Sequence, residues 1–303
     1  MTEQGRVKSW QMRDRLTRDY QLPSCGWLYG DQLPDGIVTM SGIRGEDEEI
    51  IGGAGEGAAA LPVLRDKLQQ LVDLKGLPYD QLLFSDWLAL LFNYFAFSYG
   101  SDMAFSPRCP HCKHFPDNPH VRDISSLPSV IYKEVPGWSR DKITEPFSTG
   151  KLPPYNDVIT FRLLRVADQK AAETYARKGQ QAGKTGDFVR SFAMARYIEG
   201  INGEPVTTFE ALDYIRKGTT GETLLALRHA FSMYEPGYDM NIYLTCPKCK
   251  GVFSVRLPED GSYFRALDSQ SKQSKAAAAL DDELRSGESE LSRLVGNDAV
   301  AAE

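Results

Sequence analysis

Four of the five cysteines fall into two pairs of the same design, Cys109-Pro-His-Cys112 and Cys246-Pro-Lys-Cys249. A C-x-x-C turn presents two thiolates on one side. Two such turns therefore complete the four-sulfur tetrahedron that zinc takes, at about 2.3 Å from each sulfur. The flanks repeat as well: Met103-Ala-Phe-Ser-Pro-Arg-Cys-Pro-His-Cys-Lys and Met240-Asn-Ile-Tyr-Leu-Thr-Cys-Pro-Lys-Cys-Lys agree at the methionine, both cysteines, the proline and the closing lysine. Each reads as a strand running into a metal knuckle. The expected ligands are Cys109, Cys112, Cys246 and Cys249, holding about one structural Zn2+ per chain. Four thiolates leave no open coordination position, so catalytic zinc is not expected. Gly251, two residues after Cys249, is the expected positive-φ position of its knuckle, and His114 holds that place in the first. His111, His114 and His120 are close enough in sequence to substitute as ligands, but they read as solvated loop histidines. A redox pair is the competing reading of one CPxC, and two copies with matching flanks argue against it. Cys25 is left over as a small, half-buried hydrophobe.

Other chemistry-bearing strings fall short of their motifs. Gly179-Gln-Gln-Ala-Gly183-Lys184-Thr185 has three residues between its glycines where a phosphate loop has four, and a helix precedes it instead of a strand. It reads as a loop between helices, and the glycine string at 52–57 reads as a loop too. There is no G-x-S-x-G and no H-E-x-x-H. His229 and Arg228 lie on a helix where packing, solvation or an ion pair is the ordinary role. Asp86 and Trp87 read as a carboxylate at a helix N-terminus beside an aromatic core anchor. No enzyme activity is expected.

The knuckles must be positioned by elements far apart in the chain, since 133 residues separate Cys112 from Cys246. The expected fold is α+β: a mainly helical body with short antiparallel strands and a split four-cysteine zinc ribbon. Residues 1–22 read as a polar, arginine-rich N-terminal arm, helical if ordered on a partner, with Trp10 as its apolar anchor. Residues 23–123 form a β/α region with the first knuckle. Short strands are expected at Trp27–Tyr29 and Gly36–Met40. A helix then begins at the acidic run Glu46–Glu49. Leu61, Leu64, Leu68, Leu71 and Leu74 mark one helical face, and Leu82–Tyr99 reads as a helix apolar nearly all round. Residues 124–239 are expected to be a mainly helical insertion, with a strand at Asp157–Val166 and helices at Asp168–Lys178, Asp187–Ile198, Thr208–Arg216 and Gly221–Tyr234. Residues 240–267 carry the second knuckle and a closing hairpin. The ribbon strands are expected near 103–108, 240–245 and 252–257. Residues 268–303, rich in alanine, serine and acids, read as a polar helical or disordered tail.

Composition narrows the classes. The chain has 303 residues, enough for about two domains, with 42% hydrophobic and 25% charged residues. Its formal charge of −6 disfavours a protein that grips phosphates. The segment 82–99 carries Asp86 and Asn93 and is short of the roughly 20 apolar residues that a membrane span needs. The N-terminal residues lack the apolar run of a secretory signal, so a soluble, unexported protein is expected.

The order of these pieces resembles a known family. A turn-rich segment (LPSCGWLYGDQLPDGIVTMSGIRGEDEE) precedes a hydrophobic helix ending in Ser98-Tyr99-Gly100 and then CPHC. VITFRLLRVADQKAAE, RYIEGINGEPVTT and ALRHAF follow, and EPGYDMNIYLTCPKC leads to a strand closing in Leu-Pro. From about residue 22 to about 265 the chain resembles the baseplate proteins of contractile-tailed bacteriophages, in the hub or wedge region. Met40-Ser-Gly-Ile-Arg44 departs from the arginine-proline-leucine run usual there. The resemblance implies a non-enzymatic virion protein of the tail baseplate, present in the host cytoplasm during assembly. Its implied partners are other baseplate and hub proteins or copies of itself, with no nucleic acid and no membrane span. The arm and the apolar helix 82–99 would then be docking elements. Two alternatives stand beside it: a hub-assembly chaperone absent from the mature virion, and a zinc-ribbon nucleic-acid-binding protein using Lys113, Lys248, Lys250 and Arg256.

Overall fold

Alternating apolar residues at Val38 and Met40 need a partner strand, and the chain just before them supplies it. Thr17–Gln21 (β1) pairs antiparallel with Ile37–Ser41 (β2), which carries Val72–Asp73 (β3) on its other edge. The computed structural model describes residues 14–53, 60–116, 120–183 and 185–257. Within these, the expected arm does not extend to residue 22. Leu22 is fully buried, and Arg15 donates to Asp47 at 2.5 Å and to Glu46 at 3.0 Å. Residues 1–13, with Trp10, lie outside the described residues, as does the tail 268–303. The expected strand at Trp27–Tyr29 is a run of turns.

Gly45–Gly53 (α1) opens with Glu46, Asp47 and Glu48 at its positive end, and Ala60–Leu71 (α2) buries Leu64, Leu68 and Leu71. Most of the glycine string between them lies outside the described residues. Phe84–Tyr99 (α3) is closed by the Gly100 N–H donating to the Ala96 carbonyl. It buries Trp87, Leu91, Phe92, Tyr94 and Phe95, so it serves as the central core helix. Among the described residues, no helix is long and apolar enough to cross a membrane.

Asp86, in the first turn of α3, is fully buried. It accepts from the Ser24 backbone N–H at 3.0 Å, the Ser24 hydroxyl at 2.5 Å and the Tyr29 hydroxyl at 2.5 Å. Burial pushes its pKa up, against the pull of those three donors. The Tyr29 oxygen accepts from the Leu83 N–H, so the turn-rich loop is fastened to the start of the helix. Trp87 donates from Nε1 to the Tyr79 hydroxyl, which donates to the Arg65 carbonyl.

After α3 come Asp102–Phe105 (β4), His120–Asp123 (β5) and Ser129–Val130 (β6). Residues 124–239 contain four helices as expected: Val166–Gln181 (α4), Phe188–Tyr197 (α5), Thr208–Asp213 (α6) and Gly221–Ser232 (α7). The loop expected from Gly179 starts later, because α4 runs through Gly179 to Gln181. The centre of this region is a sheet, which helical periodicity does not announce. Phe147–Ser148 (β7), Ile159–Phe161 (β8), Ile198–Ile201 (β9) and Glu204–Pro205 (β10) pair antiparallel in the order β10-β9-β8-β7. Asn202 and Gly203, at φ 53° and 87°, make the two-residue turn from β9 to β10 that an Asn-Gly pair favours.

Asp168 locks this region together. Only 1% exposed, it takes two bonds from Arg162 (2.7 and 2.9 Å), one from Arg196 Nε (2.7 Å), whose Nη2 lies 2.5 Å away as an ion pair, and one from the Arg165 backbone N–H. Burial alone would raise its pKa, but these donors hold it below the ordinary carboxylate value.

The insertion is not packed apart from the rest. The Tyr132 N–H donates to the Pro23 carbonyl, its buried ring lies 5.6 Å from that of Trp27, and the Phe84 N–H donates to Leu164. One continuous hydrophobic cluster joins residues from Leu22 to Leu257. The chain leaves and re-enters through a narrow neck, where Ser129 and Val130 pair with Tyr238 and Gly237 (β11, Gly237–Tyr238). The last described pieces are Asn241–Thr245 (β12) and Val252–Arg256 (β13), paired antiparallel.

Candidate metal centre

Each knuckle sits at the tip of a two-stranded hairpin. The first lies between β4 and β5 and the second between β12 and β13. The two tips share one backbone pattern. Lys113 N–H donates to Cys109 O at 3.0 Å and Cys109 N–H to His114 O at 2.9 Å; Lys250 N–H donates to Cys246 O at 2.9 Å and Cys246 N–H to Gly251 O at 3.0 Å. Positive φ falls on Lys113 and Lys250, both at 59°, and not on Gly251 as the spacing suggests. Gly251 sits where space is tight: a Cβ there would lie 3.0 Å from His111 Cδ2 and 3.3 Å from the Cys249 sulfur.

The four sulfurs converge although 133 residues part the pairs. Their ligand atoms all lie within 4.8 Å of one another; Cys109 Sγ is 3.8 Å from Cys249 Sγ, and Cys112 Sγ is 3.6 Å from Cys246 Sγ. A tetrahedron with metal–sulfur bonds of about 2.3 Å has edges of about 3.8 Å, so the donor set suits a tetrahedral thiophilic ion. These separations are far from the roughly 2.05 Å of a disulfide. Cys109 and Cys246 are buried, Cys112 is half-buried and Cys249 is exposed.

Electrostatics point the same way. The Cys246 thiol is pushed down to about 6, chiefly by the backbone N–H of Cys249. The N–H of Gly251 favours the Cys249 thiolate, yet burial and the sulfurs of Cys112, Cys246 and Cys109 outweigh it and push that thiol up to about 11. Sulfurs this close cannot all ionise without a cation among them.

The histidines stand aside. His111 Nε2 lies 3.3 Å from the Val252 carbonyl, bridging the knuckles, and the His120 ring packs 6.1 Å from Phe105. The first strand is shorter than expected, ending at Phe105, and β5 has no counterpart in the sequence-based expectation. Its return strand begins eight positions after Cys112, at His120, whereas Val252 follows Cys249 by three. The hairpin arrangement also exposes apolar side chains: Phe115, Val121, Tyr243 and Val252 are 56–69% exposed. Tyr243 and Val252 share the outer face of β12–β13. Lys113, Lys248 and Lys250 are solvent-exposed around them.

No family model, no curated protein and no solved structure matches this chain.

Proposed function

We propose that this chain is a structural component of a contractile phage tail baseplate, in its hub or wedge region, with one zinc ion closing a split four-cysteine ribbon. The carrying observation is the convergence of Cys109, Cys112, Cys246 and Cys249 from two distant hairpins with the sulfur spacing of a tetrahedral site. Zinc is the reading for the ion because four thiolates in a tetrahedron are its usual structural set. Bound there, it supplies cross-linking and no open coordination position, so the reading assigns the chain no reaction. The order of motifs from residue 22 to 265 supports the baseplate. The exposed Phe115, Val121, Tyr243 and Val252 support work done through protein contacts near the metal.

Mass spectrometry of purified particles tests the role. Peptides of this chain at stoichiometric copy number are expected. Peptides found in assembly intermediates but absent from finished particles would replace this reading with the hub-assembly chaperone. Elemental analysis of protein purified without chelator is expected to give about one zinc per chain, and a metal-free result overturns the staple.

A further inference from the structure

A groove of about 1040 Å3 opens between α3, α5, α7 and the neck strands. Its floor is apolar and incompletely covered: Leu88, Val189, Ala193 and Tyr238 are half-buried and Val130 is exposed. Its acids are engaged, since Asp187 caps α5, Asp239 accepts from Asn241, and Glu235 accepts the Tyr197 hydroxyl. Arg190 and Arg228 also line it, and among the described residues neither guanidinium has an ion pair.

The last described strand, β13, reaches this groove. Met240, Asn241 and Arg256 form one wall, and the Leu257 N–H donates to the Met240 carbonyl. The residues that follow are Pro258-Glu-Asp-Gly-Ser-Tyr263-Phe264-Arg-Ala-Leu267. In sequence, two carboxylates follow Leu257 within three positions, and the groove offers two arginines without an ion pair among the described residues. A pair of aromatics comes six and seven positions after it in sequence, and the groove floor is apolar and incompletely covered. Six or seven extended residues span at most about 20–25 Å, ample for a cavity roughly 10 Å across.

We propose that the chain's own segment 258–267 seats in this groove, with Glu259 and Asp260 toward Arg228 and Arg190 and with Tyr263 and Phe264 on the apolar floor. This goes beyond the baseplate reading and does not depend on it.

The test uses the full-length chain with the photoreactive aromatic p-benzoylphenylalanine placed at Phe264 and, separately, at Tyr263. Illumination followed by peptide mapping is expected to give intramolecular cross-links to groove residues such as Val189, Met194 or Tyr238. The double variant Arg190→Glu/Arg228→Glu, both at exposed positions, is expected to keep its circular dichroism and lose cross-link yield several-fold. Cross-links between chains overturn the proposal in favour of a contact between copies. Cross-links only outside the groove, none at either position, or a yield untouched by charge reversal overturn it outright.

Discussion

Replacing Asp168 with asparagine separates charge from shape at the tightest polar cluster in the molecule. The carboxylate is 1% exposed and is held by Arg162, Arg196 and the Arg165 N–H at 2.5–2.9 Å. Removing one partner from a buried ion pair costs about 3–5 kcal/mol, because the remaining charge is left uncompensated. Arg162 and Arg196 are 22% and 31% exposed, so water relieves part of that cost. Asparagine also keeps an oxygen for the Arg165 N–H. The expected loss is therefore at the low end, about 3 kcal/mol. At roughly 2–4 °C per kcal/mol for a body of this size, the melting temperature falls by about 6–12 °C. The pH dependence carries a definite sign. The folded pKa of Asp168 lies below its unfolded value of about 3.9, so the folded state binds fewer protons there. Its stabilisation is complete above about pH 4 and is lost as pH falls through the folded value. Urea unfolding of both full-length proteins, followed by far-ultraviolet circular dichroism from pH 7 down to 3, measures the gap. A gap under about 1 kcal/mol at pH 7, or one that widens on acidification, refutes this account of the cluster.

Asp86→Asn is expected to behave with the opposite sign. Burial raises the folded pKa of Asp86, so its contribution is present below about pH 3.9 and is lost as pH rises through the raised value. Wild type should lose stability relative to the variant between pH 4 and 7, and a flat difference in the same unfolding series would contradict the buried-carboxylate reading. Gly251→Ala should weaken zinc binding about tenfold in chelator competition, since overpacking costs roughly 1–3 kcal/mol. Adding His111→Ala should recover most of that loss, because the His111 ring is the nearest obstacle. Cys112→Ser should drop the zinc content from about one per chain to near zero, while Cys25→Ser should leave it unchanged, both read by elemental analysis.

The four-cysteine cluster was legible because ligand chemistry dictates residue type and short-range spacing alike. The helices were legible where one face is apolar: α4, α5 and α7 lie close to their expected limits, whereas α2 stops at Leu71, short of the expected Leu74, because Val72–Asp73 pairs with β2 as a strand. Of the four-stranded sheet only β8 was legible, inside the longer strand expected at Asp157–Val166; the other strands are two to four residues long, too short for alternation to register. Asn202-Gly203 marks the β9–β10 turn, a hairpin signal in a string that follows directly on a helix. β1 was missed because Arg18, Asp19 and Gln21 make it look solvated, when only its pairing with β2 and the burial of Leu22 hold it. Asp86 reads from sequence as an ordinary helix-start carboxylate. Its donors Ser24 and Tyr29 come from 62 and 57 residues away, a separation that no local pattern reveals.

If the four cysteines take an ion as proposed, the neck at Ser129–Val130 and Gly237–Tyr238 sets an order of events for its capture. In an unfolded chain, closing the site means bringing together residues 133 positions apart. Once the neck has formed, only short tethers remain, because Val130 is 18 positions after Cys112 and Tyr238 eight before Cys246. That shortening, just over two halvings of loop length, lowers the closure cost by about 1.4 kcal/mol, near a tenfold gain in metal affinity. A chain that holds its ion tightly is thus one whose intervening hundred residues have already folded. Metal occupancy becomes a readout of completion, and a truncated or misfolded copy is marked by the ion it fails to keep.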